Sequence, residues 1–247
     1  MKITDNTILI TGGSAGIGLA MATALVAAKN TVIVCGRDQE RLKQVQEVVP
    51  GIHTIQCDVS RDEELADLAS RVQRDFPRLN MLINNAAVMH IGDFVGNAGT
   101  AKSIEEEVQT NLLAPMKLTS LLLPVLLQQA DAAIVIVSSG LAYVPVANVA
   151  VYCATKAALH SFSHSLRYRL KSSVVKVFEL LPPLVDTELA RSLTMPKVSA
   201  EQVVKELLKS LEKERYEVRV GMVKFLHTAS HLVPSFTERM LNKAFSR

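Results

Sequence analysis

Tyr152-x-x-x-Lys156 is the pair in this 247-residue chain whose types and spacing best suit proton transfer. A tyrosine hydroxyl ordinarily has a pKa of about 10, so acid/base work near neutrality needs a downward shift of roughly three units, about 4 kcal/mol. Four residues along a helix put both side chains on one face. An ammonium about 5 Å away, at an effective dielectric near 20, favours the phenolate by roughly 3 kcal/mol. Ser139, thirteen residues before Tyr152, offers a hydroxyl to orient a reacting oxygen and stabilise charge developing on it, with Ser138 as its rival. His160 and His164 stand one helical turn apart, a spacing able to ligate a metal, but the sequence shows no third ligand and no metal is expected. Cys153 reads as a small buried thiol, and Glu105-Glu106-Glu107 as a solvated face at the start of a helix.

A second chemistry is written near the start. The apolar run Thr7–Ile10 leads directly into Thr11-Gly12-Gly13-Ser14-Ala15-Gly16-Ile17-Gly18, and an Ala/Leu-rich helix follows. Glycines let the backbone turn tightly and approach a pyrophosphate, whose charge is favoured at a helix N-terminus. Around these residues, short apolar runs alternate with helical patterns: Thr7–Ile10, Thr31–Cys35, His53–Cys57, Met81–Asn84, Ala133–Val137, Val174–Leu180 and Glu217–Val220. Continuous apolar runs are what strands covered on both faces look like. Ser60-x-x-Glu63, Ser103-x-x-Glu106 and Ser199-x-x-Gln202 read as helix-starting capping boxes. The pattern predicts one α/β domain over 1–247, a doubly wound, seven-stranded parallel sheet with helices on both faces. Its ligand belongs outside the carboxyl ends of the strands.

Composition narrows the function classes. Apolar residues make up 49% of the chain, which excludes disorder. Basic residues (27) barely exceed acidic ones (24), so no nucleic-acid partner is expected. The three cysteines are far apart and form no C-x-x-C pair, which points to a reducing cytoplasm rather than a disulfide framework or zinc site. Met1-Lys2-Ile3 runs almost at once into a strand, so no leader is expected. The stretch Leu118–Leu127, broken by Thr119, Ser120 and Pro124, is too short to span a bilayer.

The glycine turn in its T-G-x-x-x-G-x-G form resembles that of the short-chain dehydrogenase/reductase family, of the compact single-domain (Rossmann) type. Asn84-Asn85-Ala86-Ala87, Asn111, Ser139, Tyr152-x-x-x-Lys156 and Pro182-Pro183-Leu184-Val185-Asp186-Thr187 follow in the family's order and spacing. The resemblance covers residues 7 to about 190, and segments 11–18 and 152–163 point to a bacterial branch. It implies a nicotinamide dinucleotide cofactor, and catalysis by Asn111, Ser139, Tyr152 and Lys156. The positive charge of the oxidised nicotinamide would add to the effect of Lys156 on Tyr152. Asn111 would hold a water linking Lys156 to solvent; its alternative is an amide capping a helix kink before Pro115. Gly12, Ser14, Gly16, Ile17 and Gly18 would hold the dinucleotide, with Asn85 supporting the cleft. Asp58 and Val59 would meet the adenine, or Asp58 would cap the following helix. Lys156 would bind the nicotinamide ribose, and Val185 and Thr187 its carboxamide end.

Gly36 occupies the slot where NAD-preferring members carry an acid, and Arg37 follows with a guanidinium suited to a 2′-phosphate, so NADP(H) is favoured over NAD(H). Asp38 is the objection; in an extended segment it faces the other way. Ala87 and Pro183 stand where the family has glycine. The expected reaction interconverts a small-to-medium carbonyl and its alcohol. The alternative is a non-catalytic dinucleotide-binding regulator or scaffold on the same fold. A sugar epimerase of the longer branch is disfavoured, since only 60 residues follow Thr187. Specificity is expected in 89–99, 141–149 and a substrate loop at 188–198, mostly apolar. The segment 222–247 is expected to be a lid or a subunit contact. The resemblance further implies a homodimer or homotetramer.

Overall fold

A computed structural model describes residues 1–92 and 101–245. Seven strands, β1 (Thr7–Thr11), β2 (Thr31–Gly36), β3 (His53–Gln56), β4 (Leu79–Asn84), β5 (Ala132–Val137), β6 (Val175–Leu181) and β7 (Glu217–Arg219), form one sheet in the order β3-β2-β1-β4-β5-β6-β7. Every pairing is parallel. All seven expected strands are present, displaced by at most two residues at an end.

The strands read as unbroken apolar runs because each feeds two cores. Ile8, Ile10, Val32, Val34, Phe178 and Leu180 face one side. They meet Met21 and Leu25 of α1 (Gly16–Ala27), Leu42 and Val45 of α2 (Gln39–Val48), and Val203 and Leu207 of α7 (Ala200–Glu212). The alternating residues Leu9, Ile33, Leu82, Ile134 and Ile136 face the other side. There they meet Leu65 and Leu68 of α3 (Asp62–Asp75), Leu118 and Leu122 of α5 (Ala114–Leu127), and Leu159 of α6 (Ala150–Arg169). The period-two alternation of side chains thus separates two layers of helices on one sheet.

α4 (Ala101–Val108) and α5 are joined by a π-helical turn, Gln109–Leu113, and together they run unbroken from Ala101 to Leu127. This helix is long and apolar enough to cross a membrane, but half of its most apolar stretch is buried inside the protein. α8 (Val223–Leu232) and α9 (Pro234–Phe245) close the described chain, separated where Pro234 prevents one long helix.

Of the three expected capping serines, one caps a helix: Ser199 accepts from the Gln202 amide at the start of α7. Ser60 and Glu63 do not cap α3; Ser60 instead donates to Asp58, whose own amide donates to Glu64. Ser103 lies inside α4 rather than ahead of it.

Candidate active site

The carboxyl ends of β1, β2, β4, β5 and β6 open onto a cleft of about 720 Å³. The chain order reverses there, between β1 and β4, as expected for ligand sites on such sheets. Gly16 has φ +53°, a left-handed conformation, and Ala15 before it provides no side-chain cap for α1. The first amides of α1 are therefore left for an anion. A methyl group on Gly18 would sit 2.2 Å from the Gly12 carbonyl oxygen, so only glycine lets the turn pack on the helix. The Asn85 side-chain amide donates to the carbonyls of Thr11 and Gly12 at 2.9 and 3.1 Å, while Thr11 Oγ1 accepts from the Asn85 and Ala86 amides. These bonds clamp the end of β4 to the glycine turn. The size of the cleft, its uncapped helix and its glycine cradle fit a dinucleotide.

Eleven of the expected residues reach the cleft wall: Gly12, Ser14, Gly16, Ile17 and Arg37 at one end, Asp58, Val59 and Asn85 along it, and Tyr152, Lys156 and Thr187 at the other. Four do not. Gly18 is packed under the turn, Val185 is buried in the core and bridged to Val198, Asn111 is fully buried behind the wall, and Ser139 lies at its edge, as buried as Tyr152. The Asp58 carboxylate accepts from the Ser60 amide and hydroxyl at 3.0 and 2.7 Å, so it both orders its turn and lines the cleft. Asp38 turns its carboxylate to the Arg41 amide as the N-cap of α2. Arg37 lies two-thirds exposed, 3.3 Å from Glu106.

Sequence reasoning missed Arg41, a second guanidinium on this wall, held 2.6 Å from Glu188. Its four-residue spacing from Arg37 at a helix start was the available signal. Thr110 and Pro182 also line the cleft, as does Glu106. The loop expected at 89–99 lies partly outside the described residues; Met89, His90 and Ile91 are on the wall.

At the other end, Tyr152 and Lys156 are buried on one face of α6, with Lys156 Nζ 5.4 Å from the tyrosine ring centre. Lys156 Nζ donates to the Val137 carbonyl at 2.9 Å. Ser138 and Ser139 are told apart by their partners. Ser138 donates to Glu179 at 2.5 Å, whereas Ser139 Oγ accepts from the Leu141 amide at 3.1 Å and is the hydroxyl that bears on Tyr152. Asn111, in the π turn, pairs reciprocally with the Val88 backbone at 2.8 Å both ways and reaches Thr155 Oγ1 at 3.4 Å.

The protein's own electrostatics, without cofactor, work against the site's acidity. The protein's own groups raise the Tyr152 pKa rather than lower it, chiefly through burial; the Ser139 hydrogen bond opposes this, and Cys153 and Glu107 add to it. Burial likewise lowers the Lys156 pKa to about 8. Desolvation of two adjacent buried groups outweighs the attraction expected from spacing alone.

The glutamate triplet is not a solvated face either. Glu105 is exposed and Glu106 pairs with Arg37 and His90, but Glu107 is buried. Glu107 Oε1 accepts from the His90 amide, and Oε2 has no partner. Burial raises its pKa, so its ionised form weakens the fold increasingly as pH rises above the ordinary glutamate range. Glu107→Gln removes that loss. Between pH 5 and pH 8 the variant is expected to lose less stability than the parent in urea unfolding. Identical pH slopes would rule out an ionising Glu107.

α9 lies beside this end of the cleft. Leu241 and Phe245 pack against Val146, Val149, Tyr152 and Cys153, and Asn242 holds the Ala147 amide at 2.8 Å. Phe225, Leu232 and Phe236 remain exposed on the same tail. All three cysteines are buried free thiols.

Comparison with known proteins agrees with this architecture. Residues 6–197 match the family model described as short chain dehydrogenase. An uncharacterized oxidoreductase named DltE from Bacillus subtilis (strain 168) is 42% identical over 236 residues, covering 93% of this chain and 94% of its own. A short chain dehydrogenase from Burkholderia cenocepacia J2315, solved in complex with NADP, superposes with a TM-score of 0.87 at 26% identity, covering 98% of this chain and 99% of its own. A short chain dehydrogenase/reductase from Burkholderia phymatum, solved in complex with NAD, superposes at 0.84 with 19% identity over 94% and 96% of the two chains, a likeness of fold.

Proposed function

The chain belongs to the short chain dehydrogenase family, and from that premise we propose that it is an NADP(H)-dependent oxidoreductase interconverting a carbonyl and a secondary alcohol. The observation that carries the reading is the buried Ser139–Tyr152–Lys156 contact at one end of a cleft whose other end carries Arg37 and Arg41. Gly12, Ser14, Gly16 and Ile17 would hold the pyrophosphate, Asp58 and Val59 the adenine side, and Lys156 and Thr187 the nicotinamide end. Asn85 and Gly18 shape this cradle, with Val185 behind it. Bound there, the reduced cofactor supplies a hydride.

The protein's part is proton transfer and orientation. Tyr152 gives its hydroxyl proton to the substrate oxygen, and Ser139 hydrogen-bonds that oxygen and orients it. Lys156 holds the nicotinamide ribose and draws the proton balance of Tyr152 toward transfer. Asn111, fixed by Val88, would position the water that connects Lys156 to solvent. The apolar surroundings, Val144, Val146 and Val149 beneath Met89 and Leu141, suit a partly hydrophobic substrate. The work is placed in a bacterial cytoplasm, in a homodimer or homotetramer.

The test is a panel of carbonyl compounds followed by NADPH absorbance loss. No turnover with any carbonyl despite tight NADPH binding would favour the non-catalytic regulator instead. Cofactor choice has its own test. Arg37→Ala is expected to cut the NADPH-over-NADH preference in kcat/KM by roughly tenfold to a hundredfold, the worth of one charge-assisted contact of about 1.5–3 kcal/mol. An unchanged ratio would remove Arg37 from phosphate recognition; Arg41→Ala then distinguishes its neighbour.

A further inference from the structure

A second polar cluster lies behind the nucleotide cleft, and its open side is lined by Tyr143, His160, His164, Glu217 and His231, none of which lines the cleft. Glu179 projects from the middle of β6 and is fully buried, although Phe178 and Leu180 on either side are core residues. A buried carboxylate is costly unless it is paired. Here Oε2 meets His160 Nδ1 at 2.8 Å and lies 3.8 Å from His164 Nε2. The hydroxyls of Ser138 and Ser163 donate to the same carboxylate, at 2.5 and 3.1 Å. The absence of a third ligand for the histidine pair, read from sequence, is thereby overturned: the fold supplies one from a strand nineteen residues beyond His160.

We propose that His160, His164 and Glu179 form a binding site for a divalent transition metal of the zinc class. Their ligand atoms all lie within 4.8 Å of one another. Tetrahedral zinc binds imidazole nitrogen and carboxylate oxygen at about 2.0–2.2 Å, so small side-chain rotations bring the three into place. His164 is half exposed, leaving metal access from the open cleft formed with Tyr143, His227 and His231. Glu217 Oε1, 3.2 Å from His164 Nε2, is positioned as a fourth ligand. The Ser138 and Ser163 hydroxyls already play the outer part that orients a ligating carboxylate.

The neighbouring charges select the class of metal. Arg219 and Arg167 both pair with Glu217, so the site is not an acidic cage that would hold magnesium or calcium by charge alone. Two imidazoles on one helix turn instead reward a metal with affinity for nitrogen.

The test uses untagged full-length protein, titrated with Zn²⁺ by calorimetry and with Co²⁺ by visible absorption. The parent is expected to bind one ion per chain and to show the intense ligand-field bands of four-coordinate cobalt. His164→Ala, at a half-exposed position that the fold tolerates, is expected to weaken Zn²⁺ binding about 10–100-fold. His231→Ala, in the same cleft but outside the trio, is expected to stay within about threefold of the parent. Absence of saturable binding in the parent overturns the proposal. So does unchanged affinity in His164→Ala, or an equal loss in His231→Ala. None of these readouts depends on oxidoreductase activity.

Discussion

Tyr152→Phe is expected to slow carbonyl-dependent NADPH oxidation by about 10²–10⁴-fold, the usual worth of a positioned general acid. NADPH affinity should stay within about threefold of the parent. The substitution removes only the hydroxyl, while the ring keeps its packing against Val146, Val149, Leu241 and Phe245. A loss of turnover without a loss of binding separates proton transfer from cleft shape, which calorimetry beside a steady-state assay resolves. A variant as fast as the parent would end the role assigned to Tyr152, and with it that of Ser139, whose hydroxyl bears on the same oxygen.

Lys156→Met is expected to do two opposite things: abolish most of the activity and make the protein without cofactor more stable at pH 7. Burial lowers the lysine pKa from 10.5 to about 8, so the folded state holds its proton less tightly than the unfolded chain. Stability lost to this group is fully lost below about pH 8 and recovered as pH rises through 10.5. The shift corresponds to about 3 kcal/mol, from which the hydrogen bond to Val137 subtracts about 1 kcal/mol. A net gain of about 2 kcal/mol, or roughly 4–8 °C in Tm, is expected at pH 7. Near pH 11, where only the lost hydrogen bond remains, the variant should instead be less stable than the parent by about 1 kcal/mol. Thermal unfolding at the two pH values checks both sign and window. A variant less stable than the parent at pH 7 would show that Lys156 supports the fold rather than straining it.

Both expected effects come from one property of the proposed catalytic pair, its burial. The same burial that costs stability leaves Tyr152 protonated and Lys156 poised to give up its charge. The spacing Tyr152-x-x-x-Lys156 set the pair on one helical face, but spacing carries no information on desolvation. The lowering expected from Lys156 together with the oxidised cofactor must therefore overcome this burial. Ser138 and Ser139 show the same limit from another side. Adjacent in sequence and identical in type, they part company only because β6 presents Glu179 to one and α6 presents Tyr152 to the other.

What the chain's own order of residues determined is local and periodic. The continuous apolar strands, the glycine turn into α1, the tyrosine–lysine turn of α6 and the Ser199 cap each depend on residues within one element or its immediate neighbour, and each was legible. What tertiary structure decided is partnership between elements distant in sequence. The Asp58–Ser60–Glu64 turn displaced an expected helix cap. Arg41 reached the cleft beside Arg37, Glu107 was buried beneath His90, and Glu179 was delivered to a histidine pair on another element. The physical reason is one of range. Backbone preference and side-chain period are set by neighbours a few bonds away, whereas burial and charge pairing are set by strand register and helix packing, which place residues far apart in sequence within a few ångströms of each other.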